Sequence, residues 1–217
     1  MTSCSREHMN MIKNIAFDFG GVIFDLDYEG AIAAFRQMGL PDADQRLDRY
    51  HQRGIFEDLE SGRIGPEAFI QALQPLCTRP LTMDAVRTAW LGYVGAPVNE
   101  QKLAYLDELR RRGYRTFLLS NTNPFVQSWA ESASFSASGR PLGSFLEKCY
   151  TSYEVGIMKP DEGFFRHMLS DAATRPEETL FLDDSPANIA TAEALGIQTL
   201  LVQKNGDWRN DVESRLA

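Results

Sequence analysis

The sequence predicts an α/β fold, a doubly wound parallel sheet interrupted by an all-α insert, and three observations carry that expectation. Short apolar runs, too brief for helices, each end in a polar residue, as strands buried on both faces do. Helix-like stretches with their own start and stop residues separate those runs. One long segment near the N-terminus breaks the alternation with helical patterns alone.

The first strand is Ile15-Ala16-Phe17, which stops at Asp18. From 27 to 94 the chain shows helical patterns, Ala31 to Met38 and Pro66 to Leu76, with no convincing buried strand. Gly65-Pro66-Glu67 starts a helix within it, and Gly92, Gly95 and Pro97 make the return linker. The expected division is therefore a discontinuous core, 1–26 with 95–217, around a helical unit of 27–94. Val98 to Arg112 is a helix closed by Gly113, Thr116 to Leu119 a strand ending at Ser120, and Asn123-Pro124 a helix start. The Ser-rich stretch ESASFSASG, 131–139, reads as a surface loop. Glu162 to Ser170 is helical, Thr179 to Leu182 a strand before Asp183, Ala187 to Leu195 a helix closed by Gly196, and Thr199 to Val202 a strand before Gln203.

Composition narrows the function. A chain of 217 residues with 43% apolar and 24% charged residues suits one good-sized α/β domain or a core with a small module. Its net charge of −8 argues against nucleic acid or an anionic membrane as partner. Cys4, Cys77 and Cys149 are odd in number and widely spaced, as reduced structural thiols are. The opening MTSCSREHMNM has no apolar core of a leader, and no run approaches a membrane span, so a cytoplasmic location is expected.

Ligands of an open α/β sheet sit outside the carboxyl ends of its strands. Asp18, Ser120 and the Asp183-Asp184 pair all end strands and should share one crevice. The Asp-x-Asp of Asp25 and Asp27 comes later, beyond Gly20-Gly21, and is expected to lie outside it. In order along the chain stand Phe17-Asp18-Phe19-Gly20-Gly21-Val22, Leu119-Ser120-Asn121-Thr122, Lys159-Pro160, and Phe181-Leu182-Asp183-Asp184 followed by Asn188. This series resembles the haloacid dehalogenase-like (HAD) hydrolases, in the branch with a small helical cap after the first strand. The stretches FDFGGVIFD, LSNTN and GIMKPD are most similar to α-D-glucose-1-phosphate phosphatases. The resemblance implies a Rossmann-like core, a phosphatase of small phosphorylated metabolites, and Mg²⁺.

Phosphoryl transfer from a monoester needs an in-line nucleophile and positive charge around the equatorial oxygens. Asp18 is the expected nucleophile, giving an aspartyl-phosphate that water hydrolyses. Mg²⁺ prefers a few carboxylates, a carbonyl and waters, and Asp18, the carbonyl of Gly20 and Asp184 would supply them, with Asp183 assisting. Ser120 and the amide of Asn121 stand at a strand-to-helix junction suited to phosphate oxygens. Pro160 biases the backbone of Lys159, whose ammonium is expected to reach both the reacting groups and the phosphate. Arg110-Arg111-Arg112 reads as cations at a helix C-terminus, and His51 and Arg53 as either a lining of the insert or a solvated face.

One position departs from the resemblance. Most phosphatases of the family carry a second Asp two residues after the nucleophile, as acid for the leaving alcohol; here that position is Gly20. Two alternatives stay open on this ground, a phosphometabolite-binding protein without catalysis and a 2-haloacid dehalogenase, whose halide needs no proton. If the chain is a phosphatase, the missing acid predicts a preference for good leaving groups, such as sugar 1-phosphates over 6-phosphates.

Overall fold

The computed structural model describes residues 11–48 and 52–216, so Cys4 and His51 lie outside the described residues. Five strands form the sheet: β1 Asn14–Phe17, β2 Arg115–Ser120, β3 Lys148–Thr151, β4 Thr179–Asp183 and β5 Gln198–Leu201. Every pairing is parallel, in the order β3-β2-β1-β4-β5. All four residues of β1 are buried. Ile15 and Phe17 enter one apolar cluster and Ala16 the other, so β1 is covered on both faces and its apolar run needs no alternation.

The helices that cover the sheet differ in their apolar faces. α6 (Glu100–Arg111) and α11 (Arg209–Leu216) join Ile15 and Phe17 through Leu103, Leu106, Leu109 and Val212. α9 (Glu162–Asp171) and α10 (Pro186–Ala194) close the opposite face with Phe164, Phe165 and Ile189. α7 (Pro124–Ala130) and the short α8 (Ser152–Val155) follow β2 and β3. The chain moves outward from β1 through β2 to β3, then returns past β1 to β4. That reversal puts the topological switch point at the carboxyl ends of β1 and β4, where an open sheet offers a crevice.

Between β1 and α6 lie α1 (Tyr28–Met38), α2 (Ala43–Arg46), α3 (Ile55–Glu60), α4 (Pro66–Leu73) and α5 (Met83–Leu91), with no strand among the described residues. Their centre is aromatic: Phe35, Phe56, Phe69 and Trp90 are at most 1% exposed, with Phe56 and Phe69 ring centroids 5.2 Å apart. The linkers into and out of this insert pair with each other. Asp27 donates its N–H to the Tyr93 carbonyl at 2.8 Å, and Gly95 donates to that of Asp25 at 2.9 Å. Asn205 binds the backbone of Leu26 on both sides, accepting its N–H at 2.8 Å and donating to its carbonyl at 3.2 Å.

Some expected elements shift and some were unread. Asp27 caps Gly30, so α1 starts at Tyr28 rather than Ala31; Asn99 caps Gln101, so α6 starts at Glu100 rather than Val98. β5 is an edge strand with Leu201 53% exposed, not a strand buried on both faces. The Ser-rich stretch is a run of turns, yet Phe135 within it is 2% exposed and packs on Trp129 at 5.3 Å. β3, α2, α3, α5 and α11 carry no strong pattern in the sequence. Cys77 and Cys149 are free thiols, and no helix among the described residues is long and apolar enough to cross a membrane.

Because Phe56 touches three other rings of the insert core, its truncation opens a cavity that rigid helices cannot collapse. Phe56→Ala is expected to cost about 3–5 kcal/mol in equilibrium urea unfolding. A loss below about 1 kcal/mol would mean the insert does not share the cooperative unit.

Candidate active site

At the switch point the ends of β1 and β4 are stitched together by backbone, with the Asp18 N–H donating to the Leu182 carbonyl at 2.9 Å. Asp18 therefore leaves the sheet beside Asp183. Asp183 is fully buried, and both its oxygens are engaged. Its Oδ1 accepts the Ser185 N–H at 2.7 Å, at the start of α10. Its Oδ2 accepts from Asn188 Nδ2 at 2.9 Å and Lys159 Nζ at 2.7 Å.

Lys159 is 2% exposed, and its ammonium also reaches Asp18 Oδ1 at 2.8 Å. Its backbone is held from β2. Asn121 donates Nδ2 to the Lys159 carbonyl and accepts the Lys159 N–H on Oδ1, both at 2.8 Å. The Lys159–Pro160 peptide bond is cis. The side chain of Asn121 is thus a holder of Lys159 rather than a contact for ligand, leaving only its backbone amide for the expected role. Ser120 ends β2, lines the same cavity and donates its hydroxyl to the Asn121 carbonyl at 3.2 Å.

A cavity of about 120 Å³ opens above these groups, with Asp18, Gly20, Ser120, Lys159, Asp184 and Lys204 among its core lining. The insert contributes Asp48, Gln52, Glu60, Trp90 and Tyr93. Burial pushes the Asp18 carboxyl up to about 7 against the pull of Lys159, and Asp183 adds to the rise. Burial raises Asp184 as well, aided by Asp183 and opposed by Lys204 and Lys159. Lys159 stays a cation because Asp18 and Asp183 outweigh its burial.

Asp18, Asp183 and Asp184 each offer an oxygen within 4.8 Å of the others. Three carboxylates facing the buried Lys159 and the partly buried Lys204 leave net negative charge in a poorly solvated place. Hard oxygen donors with excess charge suit a small divalent cation such as Mg²⁺. The residues present fit that ion.

The other candidates fall elsewhere. Neither Asp25 nor Asp27 lines the cavity: Asp27 Oδ1 caps α1 on the Gly30 N–H at 2.8 Å, and Asp25 stands 3.9 Å from the buried Lys102 ammonium. Arg110 and Arg112 bind Ser144 and Glu213 at the far end of α6, and Arg53 is exposed. Glu60, Asn123 and Lys204 are lining residues that sequence reasoning missed. Asn123 carried a signal, a helix start before Pro124, and it does cap α7 on the Phe125 and Val126 N–H groups. Nothing local marks Glu60, which reaches the cavity only because α3 ends there.

Comparison with known proteins shows the family. The family model described as haloacid dehalogenase-like hydrolase matches residues 12–196. The chain is 48% identical over 202 residues to the D-ribitol-5-phosphate phosphatase of Bacteroides thetaiotaomicron, covering 93% of this chain and 97% of that one. Among solved structures it is similar to a HAD-like family hydrolase from Porphyromonas gingivalis, with TM-score 0.89 and 43% identity over 95% of this chain and 98% of that one. A HAD family enzyme from Bacteroides thetaiotaomicron, solved with magnesium and inorganic phosphate, gives TM-score 0.86 and 30% identity over 93% and 98% of the two chains. The chain belongs to the haloacid dehalogenase-like hydrolases.

Two expectations follow from the electrostatics. Lys159→Met leaves Asp183 buried beside Asp18 without a counter-charge, at a cost of about 3–5 kcal/mol in urea unfolding with EDTA present; added Mg²⁺ should return part of it. The second concerns Glu60, whose carboxyl burial pushes from 4.5 up to about 8. A group that holds its proton more tightly when folded contributes stability present in full below pH 4.5 and lost as pH rises through about 8. Glu60→Gln should flatten that decline and, at pH 9, melt no lower than the wild type; a variant that melts lower at pH 9 than at pH 6 relative to wild type would contradict the shift.

Proposed function

We propose that the chain hydrolyses the phosphate monoester of a small sugar or sugar alcohol through an aspartyl-phosphate formed on Asp18. It is a phosphoric monoester hydrolase of its family, and Mg²⁺ is its cofactor; the substrate class and the route are the proposal. The observation that carries the route is Asp18, one oxygen held by a buried Lys159 and the carboxyl within 4.8 Å of Asp183 and Asp184. The relative's action on D-ribitol 5-phosphate and the magnesium and phosphate in the Bacteroides neighbour support the substrate class.

The residues divide the work as follows. Asp18 attacks phosphorus with the oxygen that Lys159 does not hold, and the bond from phosphorus to the alcohol oxygen breaks. Lys159 fixes the carboxylate and offsets charge on the transferring phosphoryl group. The Ser120 hydroxyl and the Asn121 backbone amide face the phosphoryl oxygens. Asp18, the Gly20 carbonyl and Asp184, with Asp183, would hold Mg²⁺, which supplies Lewis-acid stabilisation of phosphoryl charge. Trp90, Tyr93, Gln52 and Asp48, from the unit of 27–94 read as a cap, face the alcohol portion. A dehalogenase needs no cation, and the carboxylate cluster speaks against that alternative. An inert binder leaves unexplained a nucleophile so tightly oriented.

Asp18→Asn should lower turnover of p-nitrophenyl phosphate and of a pentitol 5-phosphate by about 10³-fold or more. EDTA should abolish turnover and Mg²⁺ restore it, with Asp184→Ala needing more Mg²⁺ than wild type. Asp25→Asn and Asp27→Asn should each change the rate only a few-fold. Activity of Asp18→Asn near that of wild type would place the nucleophile elsewhere.

A further inference from the structure

Departure of an ordinary alcohol from phosphorus generates an alkoxide unless a proton arrives with the bond cleavage. Gly20 supplies no acid, and the position a Cβ would take there lies 2.5 Å from Leu26 Cδ1 and 3.5 Å from the Phe24 ring. Apolar side chains fill that space. The donor therefore has to come from another wall of the cavity.

The core wall has its acids committed. Asp18 is the nucleophile, Asp184 faces the cation, and Lys159 spends its protons on two carboxylates. On the insert wall, the Tyr93 hydroxyl accepts from Gln52 Nε2 at 3.1 Å, and burial makes it a weaker acid than usual. Glu60 is different in how firmly it is placed. Its backbone carbonyl accepts from Ser152 Oγ at 2.6 Å, and that same Oγ accepts the Thr122 N–H at 3.0 Å. Its side chain lies beside Asn123, whose own oxygen is taken up by capping α7. Two residues on, Gly62 passes so close to the core that a Cβ would lie 2.1 Å from the Tyr153 carbonyl. The Glu60 backbone is thus anchored through Ser152 of α8 to the segment that follows Ser120 at the end of β2, and its side chain reaches the cavity beside Asn123 of that segment.

We propose that Glu60 is the catalytic acid that protonates the departing alcohol oxygen, a reading that rests on the phosphatase mechanism above. As Asp18 bonds to phosphorus, the electron pair of the breaking phosphorus–oxygen bond goes to the alcohol oxygen, which takes the Glu60 proton. The resulting carboxylate then removes a proton from the water that attacks the aspartyl-phosphate, releasing Asp18 and inorganic phosphate and restoring neutral Glu60. Burial, with its carboxyl raised to about 8, keeps the proton available at neutral pH. An enzyme so equipped has no need of an anomeric leaving group, in contrast to the preference for sugar 1-phosphates that Gly20 alone predicts.

The test compares wild type, Glu60→Gln, Glu60→Asp and Asp48→Asn in saturating Mg²⁺, on p-nitrophenyl phosphate and a pentitol 5-phosphate. Glu60→Gln should lower kcat for the pentitol phosphate by about 10²-fold or more with little change in KM, while the aryl ester, whose phenolate leaves unaided, loses only a few-fold. Glu60→Asp, an acid one methylene short, should fall between. Equal losses on both esters, no loss on the alkyl ester, or a leaving-group-selective loss in Asp48→Asn instead would overturn the assignment. Wild type alone gives a second reading that needs no variant: rates across esters of rising leaving-group pKa should fall shallowly, and a steep fall overturns it. Absence of any Mg²⁺-dependent turnover of the aryl ester by wild type would remove the phosphatase mechanism itself, and Glu60 with it.

Discussion

A lysine ammonium taken out of water has to find its partners in the protein, and Lys159 finds two, Asp18 and Asp183, at 2.8 and 2.7 Å. That ion triplet draws three strands to one point. Asp18 follows β1, Asp183 ends β4, and Asn121 beyond β2 grips the lysine backbone from both sides. Each partner has a second duty in the fold: Asp183 receives the first turn of α10 and Asn188, and the Lys159 ammonium lies 5.3 Å from the centre of the Phe181 ring. Removing Lys159 leaves the buried Asp183 and its neighbour Asp18 without their counter-charge, so the order of this sheet end depends on the lysine.

Two of the places where the insert meets this floor differ in character. One is the pair of linkers, Asp25 to Asp27 against Tyr93 to Gly95, clamped by Asn205. The other is the end of α3, where Ser152 ties Glu60 to the Thr122 backbone and Gly62 grazes Tyr153. Between them the aromatic centre of Phe35, Phe56, Phe69 and Trp90 fills the insert, within the same apolar cluster as Phe17 and Phe19 of the core. The ring of Phe69, 6.3 Å from that of Phe125 in α7, continues the contact into the core. A roof fixed at both edges sets the distance between what it carries and the strand ends below.

What was legible in the sequence follows from how local its causes are. β1, β2 and β4 announced themselves because strands buried on both faces need uninterrupted apolar runs, and their terminal Asp18, Ser120 and Asp183 marked the crevice by chain position alone. Asp25 and Asp27 were separated from the site by the same reasoning. β3, with exposed Lys148 at its start, and the half-exposed β5 are edge strands whose sequences carry no such demand. α3 is six residues long and gives too little periodicity to read. Glu60 and Lys204 become site residues through contacts across the insert and the sheet edge, which no local pattern encodes. The backbone amide of Asn121 was read toward phosphate from its position; the hold of its side chain on Lys159 is a contact that no local pattern encodes.

Two carboxyls of this cavity hold their protons more tightly than usual, and for different reasons. Asp18 is raised to about 7 by burial against the pull of Lys159, with Asp183 adding to the rise. Glu60 is raised to about 8 by burial, with the Asn123 hydrogen bond as the opposing influence. A divalent cation held by Asp18, Asp183 and Asp184 would supply the positive charge that cluster lacks and favour the ionised form of Asp18. The Glu60 shift does not originate in those carboxylates, so compensating them leaves its cause in place. With such a cation the cavity would present one carboxylate and one carboxylic acid at neutral pH, the division of protonation states that the proposed attack on a phosphate ester and protonation of its alcohol require. The core would fix the first by charge, and the insert the second by the poorly solvated setting of Glu60.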